Sequence, residues 1–288
     1  MKALSDRDIV RDCLACGLPR PHLYLYEKCG CAIWKCASCG LGGADAASFD
    51  PAAFYTGDYF TGACSDGYAD YPGAESVLRR EFARTASFIA KQRAAGRLLD
   101  VGCAYGYFLQ EARKYFEVAG IELAEEAAEH CRRAGLNVLS GTADKANMER
   151  LGTFDIITLL DVIEHLPAPH DTLSLCRRHL APGGLLVLTT GDFASPLARI
   201  MGANWRLMTP PQHLWFFTRE SLRRLSGSLG YTLESCSHPA KIVPGGLILF
   251  QLSRMLGVSR PMKPPGNGVG IPINLYDAMR VVLRRPAS

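Results

Sequence analysis

Six cysteines fall within the first forty residues of this 288-residue chain, and their spacing suggests the first chemistry. Cys13-x-x-Cys16 and Cys36-x-x-Cys39 are separated by nineteen residues. A Cys-x-x-Cys turn lets two thiolates face one point, and two such turns joined by a hairpin supply a tetrahedral sulfur cage for zinc. Gly17 and Gly40 follow the two pairs and suit the tight turns that aim the sulfurs inward. Four thiolates leave no open position, so such a zinc would be structural. Buried free thiols are the alternative. Cys29 and Cys31 flank Gly30 at the expected hairpin tip and lack a matching partner pair, so they read as spare thiols. Arg11, Arg20, Lys28 and Lys35 are few cations for gripping nucleic acid.

The second set of candidates is acidic. Asp100 stands just before a turn that carries Gly102 and Gly106, with Ala104 between them. A nicotinamide site would read Gly-x-Gly-x-x-Gly, with a helix N-terminus aimed at a pyrophosphate. An acid is poorly placed beside phosphate and well placed beside a cation, and an adenosyl sulfonium offers a positive amine and a positive sulfur. Glu122, twenty-two residues after Asp100, ends the next expected strand. A carboxylate there can accept both ribose hydroxyls; the alternative is a solvated strand-end acid. Asp161, Glu164 and His165 are spaced i, i+3, i+4 and can share one face. That face could hold a divalent metal or offer His165 as a base, or Asp161 could simply cap an acidic helical turn.

These residues need a scaffold, and the patterning suggests one. Glu75 to Ala95 reads as a helix. Short apolar strands at Leu98–Val101, Val118–Glu122, Leu136–Ser140, Phe154–Leu160 and Leu185–Thr190 alternate with helices at Phe108–Phe116, Ala124–Ala134 and Asp171–Leu180. Such alternation implies a parallel sheet with helices on both faces and ligands at the strand C-termini. Apolar residues make up 48% and charged residues 21%, which excludes a mostly disordered chain. No apolar run reaches the length of a membrane span, and Met1 to Asp12 lacks the apolar core of a signal peptide, so a cytoplasmic protein is expected. A net charge of +4 is mild for a nucleic-acid binder.

Asp100-Val-Gly-Cys-Ala-Tyr-Gly106, Gly120-Ile-Glu122, Phe154-Asp-Ile-Ile-Thr-Leu-Leu-Asp161-Val-Ile-Glu164-His165 and Leu180-Ala-Pro-Gly-Gly184 resemble the class I S-adenosylmethionine (SAM)-dependent methyltransferases. Within them the chain is most similar to the small-molecule branch that includes ubiquinone-biosynthesis O-methyltransferases and sugar C-methyltransferases. Some of that branch carry an N-terminal four-cysteine zinc module. The resemblance implies a Rossmann-like seven-stranded α/β sheet whose last, antiparallel strand falls near Tyr276 to Arg284. It implies SAM on the C-terminal edge, with Asp100, Gly102 and Gly106 holding the methionine part, Glu122 the ribose, and Cys103 and Leu123 among the cofactor contacts. Thr142 and Ala143 would lie against the adenine, with Leu160 and Asp161 as the floor. Gln212-His213-Leu-Trp-Phe-Phe-Thr218 looks like the motif that closes the acceptor side, which makes His213 the leading base, ahead of His165 and Glu164. A histidine that caps the helix starting at Thr218 is the alternative. Trp205 and Trp215 could wall the acceptor or pack in the core.

The expected organisation is a zinc module over 1–45, an aromatic-rich linker or lid over 46–74, and a methyltransferase domain over 75–288 with acceptor-side insertions at 192–217 and 240–275. Within the second insertion, the apolar stretch 244–258 could form a lid helix or touch a lipid-linked substrate, and 263–270 reads as a loop. The expected activity is methyl transfer from SAM to an oxygen or carbon of a small-molecule acceptor: a sugar, a lipid precursor or a secondary-metabolite intermediate. An RNA or protein methyltransferase that grips its substrate through the zinc ribbon is the second reading. A non-catalytic SAM-binding subunit is the third.

Overall fold

The computed structural model describes residues 7–46, 49–50, 54, 71–244 and 270–287. Most of the linker 46–74 and nearly all of the segments 244–258 and 263–270 lie outside the described residues.

The N-terminal part is a run of strands: β1 (Ile9–Cys13), β2 (Leu18–Lys28), β3 (Cys31–Cys36) and β4 (Gly42–Ala44). The expected hairpin is β2–β3, with its turn at Gly30. After it come α1 (Glu75–Gln92), β5 (Arg97–Val101), α2 (Tyr107–Ala112), β6 (Glu117–Glu122), α3 (Glu125–Arg133), β7 (Asn137–Ser140), α4 (Lys145–Leu151), β8 (Phe154–Leu160), α5 (Pro169–His179) and β9 (Leu180–Gly191). The chain continues with α6 (Pro196–Met201), β10 (Trp215–Phe216), α7 (Arg219–Ser228), β11 (Thr232–Ser237), β12 (Lys241–Pro244), β13 (Gly270–Ile273) and β14 (Ala278–Arg284).

Seven strands form one sheet in the order β11-β14-β9-β8-β5-β6-β7. β5 pairs in parallel with β6 and β8, and β14 runs antiparallel between β9 and β11. This is the expected seven-stranded architecture. Its central strands are nearly continuous apolar runs because helices cover both faces. Successive residues point to opposite sides. Leu98, Ile156, Leu185 and Val187 pack with Ile89 of α1, Phe108 of α2 and Cys131 of α3. Leu99, Ile157, Leu159, Leu186 and Leu188 pack with Met148 of α4, Leu173 of α5 and Leu225 of α7. The strand order reverses between β5 and β8, so a crevice opens there at the C-terminal edge, where ligands of such sheets bind.

A second sheet was not expected in its full extent. It runs β1-β2-β3-β4-β10, so its fifth strand comes from the segment 192–217, far along the chain. β12 and β13 form a two-stranded ladder of their own.

Candidate functional site

The crevice is built first by β5 and the turn behind it. Asp100 is buried near the end of β5, and its Oδ1 accepts a hydrogen bond from Thr158 Oγ1 of β8 at 2.6 Å. Burial pushes its carboxyl up to about 7; the Thr158 bond pulls it back, and the charge of Glu122 adds to the rise. Glu122 is also buried, at the end of β6, and burial raises its pKa. Its Oε2 accepts from the Ala104 N–H at 2.7 Å and its Oε1 from the Ala124 N–H at 2.9 Å. The Leu123 N–H also donates to this carboxylate. Two buried carboxyls, each raised by burial and one further by its neighbour's charge, favour a cationic partner. The amine and sulfonium of SAM supply that charge, so these residues fit the cofactor.

The turn requires its glycines. Gly102 and Gly106 have φ of 76° and 74°, and a Cβ on Gly102 would lie 2.7 Å from Val162 Cγ2. Ala104 is also left-handed, at φ 47°. That is the one backbone region an alanine resists, so the departure from an all-glycine turn stores strain here. Cys103 is buried in this turn. Leu123 and Ala124 lead from Glu122 into α3, while Thr142 and Ala143 follow β7, with Thr142 exposed and its carbonyl accepting from Asn147 Nδ2. Leu160 ends β8 half-buried at the same edge.

Asp161, the next residue, takes φ 56° and is held from two sides. Its Oδ1 accepts from Thr189 Oγ1 at 2.8 Å, and its Oδ2 accepts from Lys241 Nζ at 2.6 Å. Burial works to raise its pKa, but the Lys241 ammonium and the Thr189 bond keep it below the ordinary carboxylate value. Lys241 also approaches Glu81 of α1 at 3.6 Å. Neither Lys241 nor Glu81 was singled out from sequence. Only the positive charge of Lys241 near an apolar run could have drawn attention to it.

In the region expected to face the acceptor, Glu164, His165 and His213 converge, with their candidate ligand atoms all within 4.8 Å of one another. Glu164 and His165 sit in a short 3₁₀ turn, Ile163–His165, right after β8. Asp161, expected to share their face, is instead engaged with Lys241. The two imidazoles cross at 4.6 Å between centroids. His165 Nδ1–H donates to the Gln212 carbonyl at 2.9 Å, and His213 Nδ1–H donates to the Leu207 carbonyl at 2.8 Å. These bonds fix the tautomers, so that Nε2 is the lone-pair nitrogen of each ring. Burial lowers His165, while burial and then the neighbouring His165 bring His213 down to about 4. Burial pushes Glu164 up to about 7, and its Oε2 is buried without a hydrogen-bond partner among the described residues. His213 does not cap α7; Thr218 and Ser221 do so with a reciprocal capping box. Trp205 is buried and donates through Nε1 to Asp277, so it packs in the core, while half-buried Trp215 donates to the Leu166 carbonyl.

The four cysteines of the module also converge within 4.8 Å. Each knuckle closes as its spacing demands: the Gly17 N–H donates to the Cys13 carbonyl at 2.9 Å and the Gly40 N–H to the Cys36 carbonyl at 3.0 Å. Cys13 is pulled down to about 4, first by the hydrogen bond from Cys39, and the same contact pushes Cys39 up. Thiols packed this tightly cannot all ionise unless a cation offsets their charge, and the donor set suits zinc.

Comparison with known proteins gives the family and the fold. A methyltransferase-domain family profile matches residues 74–235, more than half of the chain. A ubiquinone biosynthesis O-methyltransferase of Caulobacter sp. (strain K31) is 35% identical over 141 residues, covering 44% of this chain and 56% of the relative. The enzyme of the same description from Methylococcus capsulatus is 30% identical over 148 residues, covering 48% and 61%. In both cases the match spans less than two thirds of the relative's own length. The fold is shared with a chain in the complex of the Haloferax volcanii Trm112 methyltransferase activator and a methyltransferase, at a TM-score of 0.51 and 16% identity over 75% of this chain and 95% of that one. By profile and by sheet, the chain belongs to the methyltransferase-domain family of class I, SAM-dependent enzymes.

Proposed function

We propose that the chain moves the methyl group of SAM to a hydroxyl oxygen of a small-molecule acceptor. One observation carries the reading beyond the family. Next to the cofactor edge, a buried Glu164 oxygen without a partner among the described residues lies among two imidazoles whose Nδ1 atoms are already committed to carbonyls. Bound SAM would supply the electrophilic methyl carbon. Asp100 and Glu122 would hold its ammonium and ribose ends. His213 Nε2 would take the acceptor's proton, and the Glu164 carboxylate beside it would stabilise the imidazolium that results. Burial of this trio would keep competing water from the transfer. The likeness to ubiquinone-biosynthesis O-methyltransferases supports oxygen as the methylated atom and a lipid precursor as one acceptor class.

A second reading rests on the same cluster. Glu164, His165 and His213 offer one carboxylate and two neutral imidazoles, a donor set for a divalent cation that would orient the acceptor oxygen. The cysteine module would hold structural zinc, and we propose the cytoplasm as its compartment. Among the described residues, no helix is long and apolar enough to cross a membrane.

Methyl-labelled SAM incubated with the protein and cell extract tests the proposal. Label in a small-molecule or lipid fraction, at an oxygen, is the expected result. Label in RNA or protein would replace it with a macromolecular methyltransferase. SAM binding with no transfer to any fraction would leave a binding subunit. A chelator arm separates the base from the cation: unchanged turnover supports the base.

A further inference from the structure

Leu214 is where the cysteine module and the acceptor side meet. Its N–H donates to the Glu164 carbonyl at 2.9 Å, and its own carbonyl accepts from the Ala44 N–H at 3.0 Å. His213 precedes it. Trp215 and Phe216 follow it as β10, which pairs antiparallel with β4 in the register Trp215 to Gly43 and Phe216 to Gly42. Trp215 Nε1 then reaches back to the carbonyl of Leu166, the neighbour of His165. One short stretch of backbone is thus bonded on one side to the turn that carries Glu164 and His165, and on the other to the module's sheet.

The cysteines are tied into the same region. The Cys36 N–H donates to the Leu41 carbonyl at 2.8 Å, directly before β4 begins. The Cys39 carbonyl accepts from Thr218 Oγ1 at 2.9 Å, and Arg224 of α7 donates to Cys16 Sγ at 3.5 Å. Cys13, Cys36 and Cys39 belong to the same buried core as Ile163, Phe217 and Leu222. The fit leaves no slack: a Cβ on Gly42 would lie 2.8 Å from Phe193 Cε1 and 2.9 Å from Phe216 Cβ.

We propose that the metal-loaded cysteine module positions the acceptor side of the active site. The knuckle at Cys36 to Cys39 sets β4, β4 sets β10, and β10 with Leu214 sets His213 against Glu164. Ala44, Leu214 and Trp215 are then positioning residues, and the module is part of the frame of the site. This rests on the readings above that the cysteines hold a dication and that His213 and Glu164 serve the reaction.

The test follows backbone hydrogen exchange in the full chain with and without a zinc chelator, after the metal content of the purified protein has been measured. Removal of the metal is expected to speed exchange in the peptides covering 213–217 and 162–166. Peptides from β5 and β6, and SAM affinity, should be unchanged, while turnover falls at least tenfold. Ala44→Pro, which deletes the donor to Leu214 without touching a cysteine, should keep its metal and its SAM affinity and still lose turnover. Trp215→Phe, a milder cut, should raise the acceptor KM and lower kcat with SAM affinity intact. Metal released with no change in exchange at 213–217, or a metal-loaded Ala44→Pro variant with full turnover, overturns the proposal. A chain that purifies without metal overturns it at the zinc premise instead. If exchange responds as expected but His213→Ala is fully active, the catalytic premise fails.

Discussion

Lys241 is ion-paired to Asp161 across the mouth of the crevice at 2.6 Å, and the same ammonium lies 3.6 Å from Glu81 on α1. The adjacent Ile242 N–H donates to Glu81 Oε2 at 2.9 Å, so the ladder of β12 and β13 is pinned to α1 and to the end of β8 together. Asp161, expected as the floor of the cofactor site, therefore has a resident cation. Lys241→Met removes it. Because Asp161 is 42% exposed on its side chain, the pair is screened, and the expected loss is about 0.5–1 kcal/mol, read as a drop in Tm of about 1–3 °C. SAM affinity should hold or tighten, since a positive charge beside a cationic ligand is gone. Weakening on the order of tenfold would mean that Lys241 itself holds the cofactor's carboxylate.

Local turns were legible in the sequence and distant pairing was not. The knuckles at Cys13–Gly17 and Cys36–Gly40 close through bonds within five residues, so spacing and glycine sufficed to place them. The turn from Asp100 to Gly106 and the acid at Glu122 were equally visible, because strand, turn and helix follow one another directly. Thr158 escaped notice although it donates to Asp100, since a threonine inside a strand looks like ordinary strand composition. The joining of β10 to β4 escaped for another reason. Trp215-Phe216 is too short to show a period, and its partner Gly42-Gly43 is a poor strand former. The convergence of His213 with Glu164 depends on that joining, so the residue was nameable while its geometry was not.

SAM binding should depend on pH through Asp100. Its carboxyl is pushed up to about 7 by burial, with Thr158 opposing and Glu122 adding to the rise. Protons compete with the cationic ligand below that value, and affinity should fall by up to about tenfold per pH unit there, levelling above pH 7. The stability of the ligand-free protein runs the other way. A folded pKa above the unfolded one contributes stability at low pH that is lost as pH rises through about 7. The thermal shift caused by SAM should therefore grow from pH 5.5 to pH 8. Asp100→Asn should flatten this trend and weaken SAM by about 10- to 100-fold, the loss expected for a hydrogen bond to a charged group. An equally steep trend in that variant would assign the titration elsewhere.

Ala104 offers a gain of stability. Its φ of 47° costs an L-residue about 1 kcal/mol that glycine avoids. Glycine also loses more freedom on folding, so Ala104→Gly should come out stabilising by a few tenths of a kcal/mol, with SAM affinity retained. Gly102→Ala is the opposite case, since the added Cβ would lie 2.7 Å from Val162 Cγ2 at a φ of 76°. It should cost about 2 kcal/mol or more and abolish measurable SAM binding. Paired urea melts with and without SAM measure both variants. A destabilised Ala104→Gly would show that the turn is held by contacts and not strained.

The acceptor side makes the sharpest statement about pH and rate. With His213 as the base, as proposed, proton uptake requires a neutral His213 and an ionised Glu164. Burial and the neighbouring His165 set His213 at about 4, and burial sets Glu164 at about 7. The higher value governs, so kcat/KM for the acceptor should rise with pH along an acid limb with an apparent pKa of about 7. His213→Ala should cut turnover by about 10²–10⁴-fold, the range for a lost general base, and leave SAM affinity alone. Glu164→Gln keeps the shape of the side chain and should remove the acid limb along with most of the rate. A divalent cation in the cluster gives a different profile, because its charge would draw Glu164 well below 7, move the limb to lower pH and make turnover sensitive to chelators. A limb near pH 7 that survives both chelation and His213→Ala would exclude His213 as the base and leave the Glu164 carboxylate to take the proton directly.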